Sequence, residues 1–186
     1  HERDVFELHS LSARLIVRNV AVTVGRDQLH WAQGVKGGFA LSTNPRPMDQ
    51  VVLGMERPVR LPWILKYFGP TRATIFLADM GKRQHFPNSR LTGYKISIVP
   101  HDRFELGTSM LVQWGGDGSP EHTTGEILRD HLPFLSSRGG GAIEISNKLA
   151  TMDGRLRLHD GTGFTIYGEI AADDLDKDRK WLGMYE

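Results

Sequence analysis

The sequence predicts an all-β chain: several up-and-down antiparallel strands of a transmembrane β-barrel, making up only part of that barrel. Three observations lead there: period-two alternation, the placing of long and short connections, and a polar row that interleaves with the apolar one. Alternation is plainest from Phe104. There Phe104, Leu106, Thr108, Met110 and Val112 share one face, and Glu105, Gly107, Ser109, Leu111 and Gln113 share the other. Residues two apart lie on one face of a strand, so this pattern marks a ribbon between two unlike environments. Taken alone, it fits a soluble sandwich with one wet face as well as a barrel.

The connections separate the two. Pro100-His101-Asp102-Arg103 and Asp160-Gly161-Thr162-Gly163 are short and carry the residues that tight reversals need. The stretches 79–90, 115–148 and 172–180 are long and polar. Long and short connections alternate along the chain, so the long ones fall at one end of the strands and the short ones at the other. Outer-membrane barrels show this asymmetry. The polar row agrees: Lys95, Glu105, Gln113, Arg155, Arg157 and Glu169 would face a wet lumen while Ile, Leu, Phe and Met face lipid. For Arg155 and Arg157 a solvated face is the competing reading.

Taken in chain order, Val20, Val22 and Val24 oppose Ala21, Thr23 and Gly25, and residues 15–31 read as one long strand or a hairpin turning near Arg26-Asp27. Asn44-Pro45-Arg46-Pro47 is a loop, because proline fixes φ and removes a donor. Pro58, Pro62 and Pro70 break the next segment, making 62–68 a connector with apolar side chains before a strand to Asp79. Tyr94, Ile96 and Ile98 oppose Lys95, Ser97 and Val99 in the following strand. Inside the long loop, Thr123-Thr124-Gly125-Glu126 forms a capping-box pattern that opens a helix over 124–131. Leu156 and Leu158 against Arg155 and Arg157, then Phe164, Ile166 and Ile170 against Thr165, Tyr167 and Glu169, give the last two strands. Trp114, Tyr167, Trp181 and Tyr185 would suit an aromatic girdle at a membrane interface or a flat face for a sugar ring.

Composition narrows the function classes. The chain has 186 residues, with 23 Lys and Arg against 22 Asp and Glu for a net charge of +1. That balance lacks the basic excess of a nucleic-acid binder. There is no cysteine, which excludes disulfides, thiolate metal sites and cysteine nucleophiles. No apolar run approaches the ~20 residues of a spanning helix, and a mean hydropathy of −0.33 says nothing against a barrel. The 21 glycines favour turn-rich β structure. The chain opens on His1 without a signal-peptide pattern and ends at Glu186 within a strand-like run, which reads as an internal piece of a longer protein. Residues 1–186 are then part of one barrel domain with a long loop at 115–148.

Motifs for catalysis are missing. The eight histidines have no short-spaced partner of the kind zinc needs, so no metal or other cofactor is expected. Arg138-Gly139-Gly140-Gly141 lacks the frame of a phosphate loop. Glu105, Glu144, Glu169, Asp173 and Asp174 could include a glycosidase pair, but the 173–179 run reads more simply as a solvated loop. The expectation is a protein that is not an enzyme.

Three phrases in order add a resemblance. Gly25-Arg26-Asp27-Gln28-Leu29-His30-Trp31 followed by Leu41-Ser42-Thr43-Asn44-Pro45-Arg46-Pro47 is the first. Gln113-Trp114-Gly115-Gly116-Asp117-Gly118 is the second. Asn147-Lys148-Leu149-Ala150 with Asp153-Gly154-Arg155-Leu156-Arg157-Leu158 and Tyr167-Gly168-Glu169 is the third. Together they resemble the capsule assembly protein Wzi family from about residue 20 to the end. Ala32-Gln33-Gly34 departs from that family's usual Gly-Pro-Gly, and Glu169 stands where Gln is common.

The resemblance implies a many-stranded outer-membrane barrel that binds capsular or other exported polysaccharide and holds it at the cell surface. It carries no catalytic residues across. Partners would be the polysaccharide, outer-membrane lipid and lipopolysaccharide, with no nucleic acid, and the complete barrel would be a monomer. Long-loop candidates for polysaccharide are Lys82, Arg83, His85, Arg90, Asp117, Glu121, His122, Arg129 and Asp173. Lys82, Arg83 and Arg90 stand out as three cations within one loop suited to an acidic polymer, with lipopolysaccharide phosphates as the rival ligand. Two other functions stay open: a porin-like channel on the same barrel, and a soluble carbohydrate-active β-sandwich.

Overall fold

One sheet accounts for all the strands in the computed structural model, which describes residues 8–29, 31, 38–41, 46–120, 123–131, 146–158 and 163–173. The strands are β1 (Leu11–Val17), β2 (Val20–Asp27), β3 (Met48–Met55), β4 (Val59–Arg60), β5 (Pro70–Asp79), β6 (Arg90–His101), β7 (Phe104–Trp114), β8 (Ser146–Arg157) and β9 (Thr165–Asp173). All pair antiparallel in sequence order, except that the two-residue β4 pairs β5 beside the end of β3. The sheet is unclosed, so the fold is an arc of an antiparallel barrel. A sandwich would bury Ile96, Leu106, Leu156 and Ile166 under a second layer, but among the described residues no second sheet exists. Ile96, Leu156 and Ile166 are exposed, and Leu106 is half-buried.

Register fixes the two faces, because antiparallel partners point the same way. One row runs Val22, Leu53, Ile75, Tyr94, Met110 and Ala150; below it lie Ile96, Thr108, Met152 and Ile170. Away from the long-loop end this outward face is apolar, with Leu53, Ile96, Met152 and Ile170 exposed. The opposite face carries Lys95, Glu105, Gln113, Arg155, Arg157 and Glu169, all six of the residues expected in the lumen. Between Pro70 and Asp79 the nine steps of β5 rise about 3.3 Å each. With a usual tilt near 40° that gives roughly 23 Å of height, close to the ~25 Å apolar band of outer-membrane barrels.

Three expectations need correction. The first hairpin turns at Arg18-Asn19, not near Arg26-Asp27. Arg18 takes φ 55°, and the Asn19 side chain both accepts from the Arg57 amide at 2.8 Å and donates to the Arg57 carbonyl at 3.1 Å. A residue far along the chain therefore holds this turn. Second, the connector 56–69 is long yet lies at the short-turn end, where residues Trp63–Phe68 form a 3-10 helix. It stops at Gly69, which sits against the Val99 carbonyl at φ 76° and leaves no room for a Cβ. Third, Tyr167 pairs with Arg155 on the lumen face, so it does not belong to an outer girdle. Trp114 does face outward, while Trp181 and Tyr185 lie outside the described residues.

The core sits on the lumen face towards the long-loop end. Trp31 and Leu41, from the β2–β3 connection, pack onto Phe76, Ala78, Leu91 and Leu111. Trp31 meets Phe76 edge-on with centroids 4.9 Å apart. Gly93 makes this seat, since a Cβ there would run into both rings. Lys95 reaches up from below, donating to the Trp31 carbonyl and to Asp153 Oδ1 at 3.1 Å. Asp153 is 4 % exposed, and its Oδ2 has no partner among the described residues. In the complete protein, Lys95→Met is expected to cost about 3–5 kcal/mol, because it strands a buried carboxylate. Adding Asp153→Leu should restore most of that loss in urea titrations followed by gel mobility; equal instability of single and double variants would refute the pairing.

Candidate functional site

At the long-loop end, the lumen face opens into a cavity of about 900 Å³. Its floor is the upper side of the core: Leu41, Leu91 and Leu111 with Met48, Met80 and Leu149. Its wall carries the amides of Gln84, Asn88, Gln113 and Asn147. Its rim carries Arg26, Arg46, Lys82 and Arg83 against Asp49 and Asp79. Arg26 grips Asp49 with two hydrogen bonds of 2.8 and 2.6 Å, which neutralises both. Asp79 Oδ1 accepts from the Gly81 amide at 2.7 Å and starts the β5–β6 loop. Arg46, Lys82 and Arg83 are left as a cationic rim over an apolar floor.

That loop is held by its neck. The Met80 amide donates to the Ser89 carbonyl and the Asn88 amide to the Gly81 carbonyl, each at 3.0 Å, lifting 82–86 clear of the sheet. A second loop clamps it. The Asp117 amide donates to the Pro87 carbonyl at 2.7 Å, and Asn88 Nδ2 donates to Asp117 Oδ2 at 2.6 Å. Gly116 at φ 106° allows this approach, since a side chain there would press on Phe86 and Pro87. Gln113 Nε2 donates to the buried Ser89 hydroxyl at 3.2 Å, tying the loop to the wall.

The candidates named from the sequence therefore divide. Lys82 and Arg83 lie on the rim together. Asp117 holds the clamp beside them rather than facing the cavity. His85 is exposed at the loop tip, its ring edge-on to Phe86 at 4.8 Å. Arg90 does not line the cavity; it ends the outward register row of Arg26, Asp49 and Asp79 beside Trp114, its guanidinium 5.3 Å from that ring. Asp173 ends β9 opposite Leu149, and Arg129 falls in helix α1 (Thr124–Asp130); neither side chain is among those described. Glu121 and His122 lie outside the described residues. Helix α1 opens on its expected capping box, with the Thr123 amide donating to Glu126 Oε2 at 2.9 Å. It packs on the outer wall, where His131 meets Trp114 and Tyr94 edge-on and bonds Thr92 Oγ1 at 3.1 Å.

Arg46 and the four amides line the cavity but were not singled out by sequence reasoning as site candidates. Arg46 had a signal, being a lone cation between two prolines in a loop at the correct end. No group of three or more His, Cys, Asp or Glu that could hold a metal exists among the described residues. The arrangement suits a hydroxyl-rich ligand: amides donate and accept, aliphatic side chains meet the faces of sugar rings, and cations take any acidic groups.

Residues 1–183 match the family described as capsule assembly protein Wzi. The chain belongs to that family. A Klebsiella pneumoniae relative, an uncharacterized 55.8 kDa protein in the cps region, is 25 % identical over 161 residues, covering 84 % of this chain and 31 % of the relative. Among solved structures, the sheet matches Escherichia coli Wzi with a TM-score of 0.71 at 24 % identity, covering 90 % of this chain and 35 % of that one. That protein is described as an outer-membrane protein involved in group 1 capsule assembly and a carbohydrate-binding β-barrel. The chain thus spans about a third of the length of these two proteins, and the structural match gives its open sheet the fold of a barrel arc.

The clamp can be tested apart from any ligand. Asn88→Ala should change global stability by only about 1 kcal/mol, since the bond is exposed. Amide exchange across 81–89 should nevertheless quicken. Unchanged exchange there would mean that Asp117 does not hold the loop.

Proposed function

We propose that the protein containing this chain is an outer-membrane surface lectin, which binds capsular or other exported polysaccharide and attaches it to the cell. One observation carries this reading: a cavity at the long-loop end combines an apolar floor, four amides and three cations, Arg46, Lys82 and Arg83, that meet no carboxylate among the described residues. Family membership and the carbohydrate-binding barrel of similar fold support it. Residues 1–186 form part of one barrel domain, a monomer when complete. Its outward face lies against lipid below helix α1, and of the two ligands open to Arg90, acidic polymer and lipopolysaccharide phosphate, its place outside the cavity favours the second.

The chemistry is binding rather than catalysis, and it needs no cofactor. Lys82, Arg83 and Arg46 recognise acidic groups of the polymer; Asp117 positions the loop that carries two of them. Asp173 stays as a candidate at the same end of the barrel, and His122 as a candidate outside the described residues. Seating of Trp31 and Leu41 against the lumen face supports a binding role over conduction by a porin-like channel.

Replacing Arg46, Lys82 and Arg83 together by Ser should lower affinity for the native polymer roughly 100-fold, since three exposed charged contacts of up to about 1 kcal/mol each sum to about 3 kcal/mol. Cells carrying the triple variant should shed capsule into the medium, while Arg90→Ser cells retain it. Retention by the triple variant with shedding by Arg90→Ser would move the site to the outer wall. Stable ion conductance by the wild-type protein in planar bilayers would favour the channel.

A further inference from the structure

At the short-turn end, the connector between β4 and β5 turns its most apolar residues away from the protein. Trp63 is 87 % exposed, Ile64 74 % and Tyr67 74 %, and Leu65 and Phe68 are also exposed. No residue of this 3-10 helix is buried. Trp63 also takes φ 60°, a left-handed conformation that bulky side chains avoid unless surrounding contacts enforce it. With its ring this open, Trp63 has little contact within the described chain to compensate for that strain. Lys66, in the middle of the segment, sets its ammonium 5.2 Å from the Tyr67 ring.

We infer that Trp63–Phe68 is an interfacial anchor, lying in the headgroup region of the leaflet at the short-turn end of the barrel. The occupant of this surface is lipid because the surface continues the lipid-facing band. The helix leads through Gly69 directly into β5, whose outward residues Ala73, Ile75 and Leu77 belong to that band. Other aromatics stand at the same level: Phe104 lies in the outward row with Leu156 and Ile166, and Phe164 follows beside Leu158. Aromatic rings with a flanking cation fit the zone where acyl chains give way to headgroups: the rings seat at the boundary and an ammonium meets phosphate. A rigid anchor at the foot of β5 would fix the depth of the barrel, and with it the height of the cavity roughly 23 Å above.

This inference rests on the membrane reading, and the test separates the two. The complete protein is refolded in vesicles of phosphatidylethanolamine and phosphatidylglycerol, with a single cysteine labelled by an environment-sensitive dye. The sites are Trp63→Cys, Tyr67→Cys and, as reference in the band, Ile75→Cys. Lipids with a nitroxide near the headgroup should quench positions 63 and 67 more than lipids with one deep in the chain, and aqueous iodide should reach them poorly. Position 75 should show the reverse depth preference. Iodide access at 63 and 67 with deep quenching at 75 would overturn the anchor and leave the barrel intact. Protection at 63 and 67 from both quenchers would mean that protein covers them, which also overturns it. No lipid quenching at 75 would remove the membrane reading and the anchor together.

Discussion

A strand in hydrocarbon has no water to receive an unpaired amide, so each must satisfy its backbone through its neighbours. On the proposed membrane reading this constraint is met by the pairing ladder that runs from β1 to β9, with a register shift at the foot of β6 and β7. The ladder does more than satisfy donors. It fixes the parity of every residue, and parity decides whether a side chain faces lipid or lumen. A one-residue slip between β7 and β8 would turn Asp153 and Arg155 outward and bring Met152 and Leu156 in. Opposite-charge neighbours oppose such slips from inside: Arg155 donates to Glu105 across the ladder, and Lys95 reaches Asp153 across β7. In the proposed membrane setting, apolar burial in lipid and ion pairing in the lumen thus specify the same register from opposite faces.

The lumen face is divided by height. Near the short turns it is charged, with Arg14 paired to Glu56 and Arg155 to Glu105. Near the long loops it is apolar, and the β2–β3 connection fills it with Trp31 and Leu41. Lys95 sits at the junction, its ammonium between the carboxylate below and a loop carbonyl above. This arrangement gives the cavity a fixed floor. The β5–β6 loop with its Asp117 clamp gives it a fixed rim, so little ordering entropy remains to oppose a ligand that settles there.

Much of this arc was legible because two solvents write on alternate residues. The lumen set from Lys95 to Glu169 needed only parity and charge. Parity would also have removed Arg90 from its two cationic neighbours in sequence. Lys95 is five residues on, an odd step, so the two must face opposite ways once both lie in one strand. The turn at Arg18-Asn19 had no such signal, since neither residue is Gly or Pro and its stabiliser is Arg57. Tyr167 misleads by chemistry: a ring with a hydroxyl suits either an interface or a wet lumen, and only pairing with Arg155 decides. The cavity itself was invisible because its lining comes from segments as distant as Arg26 and Leu149, joined only by the curl of the sheet.

A long polymer does not require a deep, tight pocket. When one saccharide segment occupies the rim, its neighbours along the chain are held nearby at high effective concentration, and modest contacts repeated over several barrels retain it firmly. What such a design does require is that every rim stand at the same height and orientation on the cell. Flexible loops would spend each weak contact on ordering themselves. The geometry described here runs the other way: a clamped loop, a floor pinned by Lys95, and a sheet whose outward face fits one thickness of hydrocarbon. For the proposed lectin, rigidity relative to the membrane is then the physical property that would turn a shallow polar rim into an effective holder of polysaccharide.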